Sequence, residues 1–344
     1  MAFQSIDEFW KAASLHTYLV VDCFGEIVRG AYRFADTICG PMHNRQSRTS
    51  INRRQAGKGS SMADNFTRDD CLSTVMQSPQ AVAIHDKAAW LSIFARYNIV
   101  EDPVGSTPHV SGIYDCVSGV RGPGPLARFF DTFIAPMEIV FHVDRDIVCG
   151  LAVARDLTIE IRMTPKVTVR VPMHLLYELV DEAGVLKIQR LAAHWELGPM
   201  LLQQMSLGLP GLGAGLAASM RMIKYLGFFG MLRFMKAVSN IGQTGKDVVS
   251  RFVDGCNRQN SDAMRSTLSK RFVGIAMPVA TPLCQIEQLV STSCTLTLGK
   301  TIAAGNYVTA SCSLESGGKI QQGIAFFEFD MCEKKIHRIN FYVE

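Results

Sequence analysis

A chain of 344 residues exceeds the usual size of one domain and favours two domains or one with substantial additions, two units of roughly 120 residues plus connecting material fitting comfortably. Its 48% apolar and 19% charged residues describe a globular chain with ample core material, which excludes wholesale disorder. A formal charge of +4 is too small over this length to indicate nucleic acid as a partner, and ten cysteines without a CxxC pair exclude a clustered zinc site and read as buried thiols in a reducing compartment.

In chain order, residues 1–38 hold apolar material without clear periodicity, including Trp10 and Phe24, and form an N-terminal extension. The first ten residues lack the positive and apolar stretches of a secretory signal, so a cytoplasmic location is expected. Residues 39–66 carry Arg45, Arg48, Arg53, Arg54 and Lys58 among polar residues and glycine, the composition of a basic flexible linker, and Met62 is an alternative start.

A helical pattern begins at Asp69. Ser78-Pro79 reads as a helix start, and Trp90, Ile93, Phe94 and Tyr97 recur at helical spacing, predicting a helix that buries Trp90 and Phe94 on a sheet. Glu101-Asp102-Pro103-Val104-Gly105-Ser106 forces a change of direction, and the glycine-rich stretch Ser111 to Pro125 reads as a loop carrying Tyr114 and Asp115. A second helix is predicted through Leu126, Phe129, Phe130 and Phe133. Five strands follow, over 138–143, 147–155, 157–163, 167–179 and 186–195, with turns placed at Asp144-Arg145-Asp146, Thr164-Pro165-Lys166 and Asp181 to Gly184. A helical front followed by a meander predicts helices packed on one face of a curved antiparallel sheet, an α+β cone able to enclose an apolar pocket.

Leu197 to Gly245 contains no acidic residue. Its uncharged first part, Leu197 to Met220, includes Pro210 and five glycines, which make it a poor spanning helix. Within 217–236, Arg221, Lys224 and Lys236 fall near one another on a helical wheel beside Phe228, Phe229, Leu232 and Met235. That pattern suits a helix on a membrane surface, and also a helix packed on the domains with its basic side wet, the preferred reading because a connector of this length needs something to bury itself on. From Gln243 the helix-then-strand order returns in outline, so the cone is expected twice in tandem, the pairing of sheets being met internally or in a homodimer.

The run Phe94 to Ser106, with Asp102 directly before Pro103 and Thr107-Pro108-His109 after it, resembles the loop of bacterial Δ5-3-ketosteroid isomerases, within the NTF2-like or SnoaL-like group. The resemblance implies an NTF2-like domain over 67–197, a helical connector over 198–243 and a degenerate second NTF2-like domain over 244–344. It also implies that Asp102 is the base that shuttles a proton between two carbons of a bound steroid. The family's carbonyl-polarising tyrosine falls at Ser78 and its late-strand acid at His174 or Leu175, and in the second copy Met277 falls at the place of Asp102.

A carboxylate at the rim of an apolar cavity is raised toward the range useful for enolisation, while an aspartate before proline also serves simply to shape a turn. His174 either donates to a developing enolate oxygen, if its face is the inner one, or satisfies a neighbouring polar group in the core. Trp90, Phe94, Tyr97, Tyr114, Phe130, Leu176 and Trp195 are the candidates to line the pocket. The functional expectation is a cofactor-independent proton-transfer enzyme, ketosteroid isomerase-like, acting on an apolar ketone or polyketide-like substrate. The alternative is a noncatalytic carrier of a steroid, lipid or other hydrophobic ligand. No metal is expected, and no glycine loop has the spacing of a nucleotide site.

Overall fold

The computed structural model describes residues 66–112, 124–276 and 295–344. All described residues lie in one compact unit, Ser61–Glu344. The N-terminal extension and most of the basic linker therefore lie outside the described residues, as do Tyr114, Asp115 and Met277.

Helix α1 (Arg68–Ala83) starts at a capping box in which Thr67 and Asp70 satisfy each other's backbone N–H groups. Pro79 lies inside this helix, so Ser78-Pro79 is not its start; burial of Cys71, Val75 and Val82 outweighs the cost of the proline. The helix predicted across Trp90 to Tyr97 is divided. Its first part is α2 (Lys87–Ser92), capped by Asp86, and its second is strand β1 (Phe94–Glu101). The spacing misleads because Trp90 and Phe94 are both buried, one from each element, with rings 4.7 Å apart edge to face.

After β2 (His109–Ser111), α3 (Pro125–Phe129) continues into a π-helical turn at Phe130–Ile134. Strands β3 (Glu138–Cys149), β4 (Ala152–Thr164), β5 (Val167–Glu182) and β6 (Val185–His194) complete a six-stranded sheet of order β2-β1-β6-β5-β4-β3. It is antiparallel except where β1 runs parallel to β6. Asp144-Arg145-Asp146 is a bulge inside β3, not a turn; the turn lies at Gly150-Leu151. The bulge exchanges the two faces. Ile139 and Phe141 point to the helices, whereas beyond it Ile147 and Cys149 point the other way and Val148 takes the helical side.

The connector forms α4 (Leu197–Ser206) and α5 (Leu209–Met235), the latter kinked at Gly227, where φ is 75°. Its end returns to the first core: Phe234 stacks on Phe133 at 4.9 Å, and Met235 and Ala237 join the same cluster. No helix of the described residues is long and apolar enough to cross a membrane.

The second half repeats the plan. Helices α6 (Gly242–Asn257) and α7 (Ser261–Ser266) precede β7 (Gly274–Ala276), β8 (Thr295–Ala304), β9 (Tyr307–Ser316), β10 (Lys319–Asp330) and β11 (Lys335–Val343). The sheet order is β7-β11-β10-β9-β8, and β7 runs parallel to β11 as β1 does to β6. The fold is thus α+β, a helix-covered curved sheet occurring twice. The second interior is filled by Phe252, Phe327 and Phe341, whose rings meet edge to face.

The two sheets face each other on the sides their helices leave open. Ile147, Ala154, Leu176 and Ala192 of the first pack with Ala304, Ile324, Phe326 and Tyr342 of the second. Some polar groups in this seam find partners across it: Thr309 Oγ1 meets His174 Nδ1 at 2.7 Å, and Lys300 donates to the Leu157 carbonyl at 2.8 Å while pairing with Asp156.

His194 lies among Tyr307 and Phe326 in the seam, and burial pushes its imidazole down to about 3 from an ordinary 6.5. Burial depresses His174 as well. At His194 the unfolded chain therefore binds protons first, and stability present above pH 6.5 is lost as pH falls toward 3, by about 1.4 kcal/mol per pH unit. Chemical unfolding of the parent and of His194→Leu between neutral pH and pH 5 is expected to show a shallower decline in the variant. Equal slopes would contradict the burial of a neutral imidazole.

Candidate active site

The Asp102 loop leaves the end of β1, and strand alternation sorts its two adjacent acids. Glu101 is held by Arg190, whose Nε donates to Glu101 Oε2 at 2.8 Å and whose second partner is Glu178 at 3.2 Å. Asp102 takes the other direction and accepts a hydrogen bond of 2.6 Å from Trp195 Nε1. Trp195 belongs to the core between the first sheet and its helices, so the carboxyl stands beside that apolar interior. Asp102 keeps some solvent-accessible surface, but its carboxyl is crowded by protein, and burial pushes it up to about 6 against the lowering effect of the Trp195 N–H.

The loop is held from both sides. Val104 N–H donates to the Ala193 carbonyl at 2.8 Å, and Gly105, at φ 99°, lies against Gly305 of the second half. A Cβ on Gly105 would stand 2.6 Å from Gly305 Cα. The second sheet thus supports the loop bearing the acid.

Of the predicted pocket residues, Trp90, Phe94 and Phe130 are buried on the helical side of the first sheet, with Trp90 5.6 Å from Phe130 and 5.9 Å from Phe129. Tyr97 is half exposed, beneath the Arg96 guanidinium, and belongs to a strand rather than to the Trp90 helix; it is not with this cluster. His174 and Leu176 are corrected outright. Met173, Leu175 and Tyr177 face the helices, so His174 and Leu176 necessarily face the second sheet, where His174 is tied to Thr309. It offers nothing to a ligand beside Asp102.

Two groupings escape the sequence reading. The first is the hydrogen bond from Trp195, whose residue alone suggests only lining or core. The second is a polar node deep in the first core. Arg155 is buried and grips Asp146, Nε to Oδ1 at 2.6 Å and Nη2 to Oδ2 at 3.1 Å. Tyr177 is buried within electrostatic reach of Arg155 and Ser78, and Trp90 Nε1 donates to Ser78 Oγ at 3.2 Å. Arg155 and Asp156 are neighbours in sequence but lie on opposite faces of β4, so each finds its own partners. A charged residue at an inner strand position was the available signal for this node. His109 packs edge-on to Phe129 at 5.0 Å, and burial pushes it down to about 4.

A cleft of about 320 Å³ lies elsewhere, among Arg170, Pro172, Glu196, Met200, Gln203 and Lys300, and none of the predicted site residues lines it. Among the described residues no group of three or more His, Cys, Asp or Glu side chains is placed to hold a metal ion. Cys71, Cys149 and Cys312 are buried thiols, and Cys332 is exposed.

No family model matches this sequence, and no curated protein matches it. The solved structures it resembles are NTF2-like proteins. They include a Δ5-3-ketosteroid isomerase from Mycobacterium sp., 25% identical, with 38% of this chain and 95% of that one covered at a TM-score of 0.30. A Mycobacterium tuberculosis protein in complex with estradiol-17beta-hemisuccinate is 21% identical over 38% of this chain and 95% of its own, at a TM-score of 0.31. An LEH-like epoxide hydrolase from M. tuberculosis is 15% identical over 43% and 96% of the two chains, also at 0.31.

Replacing Gly105 by alanine puts a side chain against backbone at a φ disfavoured for L residues, and a loss of about 2–4 kcal/mol in urea unfolding is the expected result. An unchanged midpoint would mean that the loop is not clamped by Gly305.

Proposed function

We propose that the first helix-and-sheet half binds an apolar small molecule and that Asp102, without a cofactor, removes and returns a proton at a carbon next to a carbonyl. The observation that carries this reading is the Asp102 carboxyl itself: oriented by Trp195 at 2.6 Å, beside an apolar core, and raised to about 6. A base poised just below neutral pH is ionised in the resting protein and retains useful proton affinity. The likeness of the Glu101-to-Ser106 loop to that of the bacterial isomerases supports the same role.

The substrate oxygen needs a donor, and His174 cannot be it. Tyr177 is the described phenol that faces the same interior, near Ser78, the position where the resemblance expects a tyrosine. We assign it the carbonyl-polarising role within this proposal, with Arg155 as the group that orients it. The buried seam position of His174 also favours a second reading, in which the half binds its ligand and performs no chemistry.

Enolisable steroid and simpler apolar ketones, incubated in deuterated buffer, separate the two readings. Exchange of the protons next to the carbonyl is expected with the parent and is expected to fall at least about 10³-fold in Asp102→Asn, with ligand affinity within a few-fold of the parent. Binding without exchange in the parent would leave the carrier reading.

The exchange rate is expected to fall below about pH 6, as protonation removes the base. The same group gives an independent signature in stability. A carboxyl raised from 3.8 to about 6 makes the folded protein bind protons first, so its contribution becomes less favourable as pH rises through that window. Asp102→Asn is therefore expected to be more stable than the parent at pH 7 to 8, by up to about 2–3 kcal/mol. A less stable variant would oppose the burial on which the proposed base depends.

A further inference from the structure

Helix α5 is packed on the protein along one side only. Gly211, Ala214 and Met222 are buried. On the opposite side Leu209, Leu212, Leu216, Met220 and Ile223 are exposed, and at 100° per residue they fall within an arc of about 80°. Exposure reaches 83% at Leu209, 67% at Leu216 and 62% at Met220, which is unusual for side chains of this size in such a continuous row. Beyond the Gly227 kink, Phe228 and Phe229 are exposed as well.

The charges beside this row have one sign. From Leu197 to Gly245 there is no Asp or Glu, while Arg221, Lys224, Arg233 and Lys236 are present. Among the described residues none of the four has a carboxylate in ion-pair range, and Arg221 Nε has no hydrogen-bond partner. Lys224 rests over its neighbour Tyr225, 5.0 Å from the ring centroid, and remains exposed.

We infer that this face of α5 docks on the surface of an anionic lipid bilayer, with the helix in the plane of the interface. The apolar row enters the acyl boundary, and the flanking cations meet lipid phosphate and carboxylate groups. The helix is not apolar enough to cross, which fits an in-plane position. A second copy of the chain is a poorer occupant, because pairing α5 with itself brings cations against cations without an intervening acid. This inference does not depend on the proton-transfer proposal.

Flotation of the full chain with vesicles tests it. Binding is expected to vesicles of equal parts phosphatidylcholine and phosphatidylserine, weakening with salt, and to be far weaker on phosphatidylcholine alone. Leu216→Glu with Met220→Glu, at exposed positions that leave the fold intact, is expected to lower partitioning at least about tenfold. Gln at Lys224, Arg233 and Lys236 together is expected to lower it about a hundredfold on the anionic vesicles and to remove the salt dependence. In Phe229→Trp, anionic vesicles are expected to shift the tryptophan emission to the blue. Three results would each overturn the inference: no flotation with anionic vesicles at low salt, binding undiminished by both sets of substitutions, or a concentration-dependent dimer abolished by the glutamates in a protein that does not float.

Discussion

A sheet that is apolar on both faces must be covered on both, and each of the two sheets here has helices for only one. Packing the open faces together solves the problem for both sheets at once. The solution dictates much of the remaining structure. It makes every residue of β5 from Met173 to Tyr177 buried, it places His174, His194 and Asp156 where solvent cannot reach them freely, and it brings Gly305 against Gly105. The second half, whose described interior is filled by phenylalanines, thereby contributes to the first.

Alternation along the strands then distributes the polar groups between two environments. Glu101 and Asp102 part company, one to Arg190 and the other to Trp195. Arg155 and Asp156 do likewise: Arg155 turns to Asp146 inside the first core, and Asp156 to Lys300 and His174 in the seam. The bulge at Asp144 is necessary to this arrangement. Without the register shift it introduces, Asp146 would stay on the seam face and Arg155 would be left in the core with no carboxylate.

What could be read in the sequence follows from the same facts. The turn at Asp102 to Ser106 and the helix from Pro125 carry local signals, proline and glycine in one and aromatic periodicity in the other, that tertiary packing did not overrule. The repeat of helices before strands was also visible, since β8 to β11 retain simple strand patterns. The inward face of β5 was not visible. A strand buried on both sides has no polar phase, so Met173, His174, Leu175, Leu176 and Tyr177 supply no evidence about which side meets the helices. The charged triplet at Asp144 was misleading for a related reason: a bulge and a turn draw on the same residues, and only the pairing of Arg145 with Asp156 distinguishes them.

The connector links the remaining parts in a way that separates two demands. Its C-terminal end is bound to the site's surroundings, because Phe234 stacks on Phe133, Ala237 Cα lies 3.8 Å from where a Gly105 Cβ would be, and Ile241 N–H donates to the Gly305 carbonyl at 2.9 Å. Its exposed apolar row lies on the other side of Gly227, a residue in a conformation open to glycine and with no atom within 4 Å of where a Cβ would stand. The last two turns meanwhile keep their place against the first core, and the loop that carries Asp102 keeps its support.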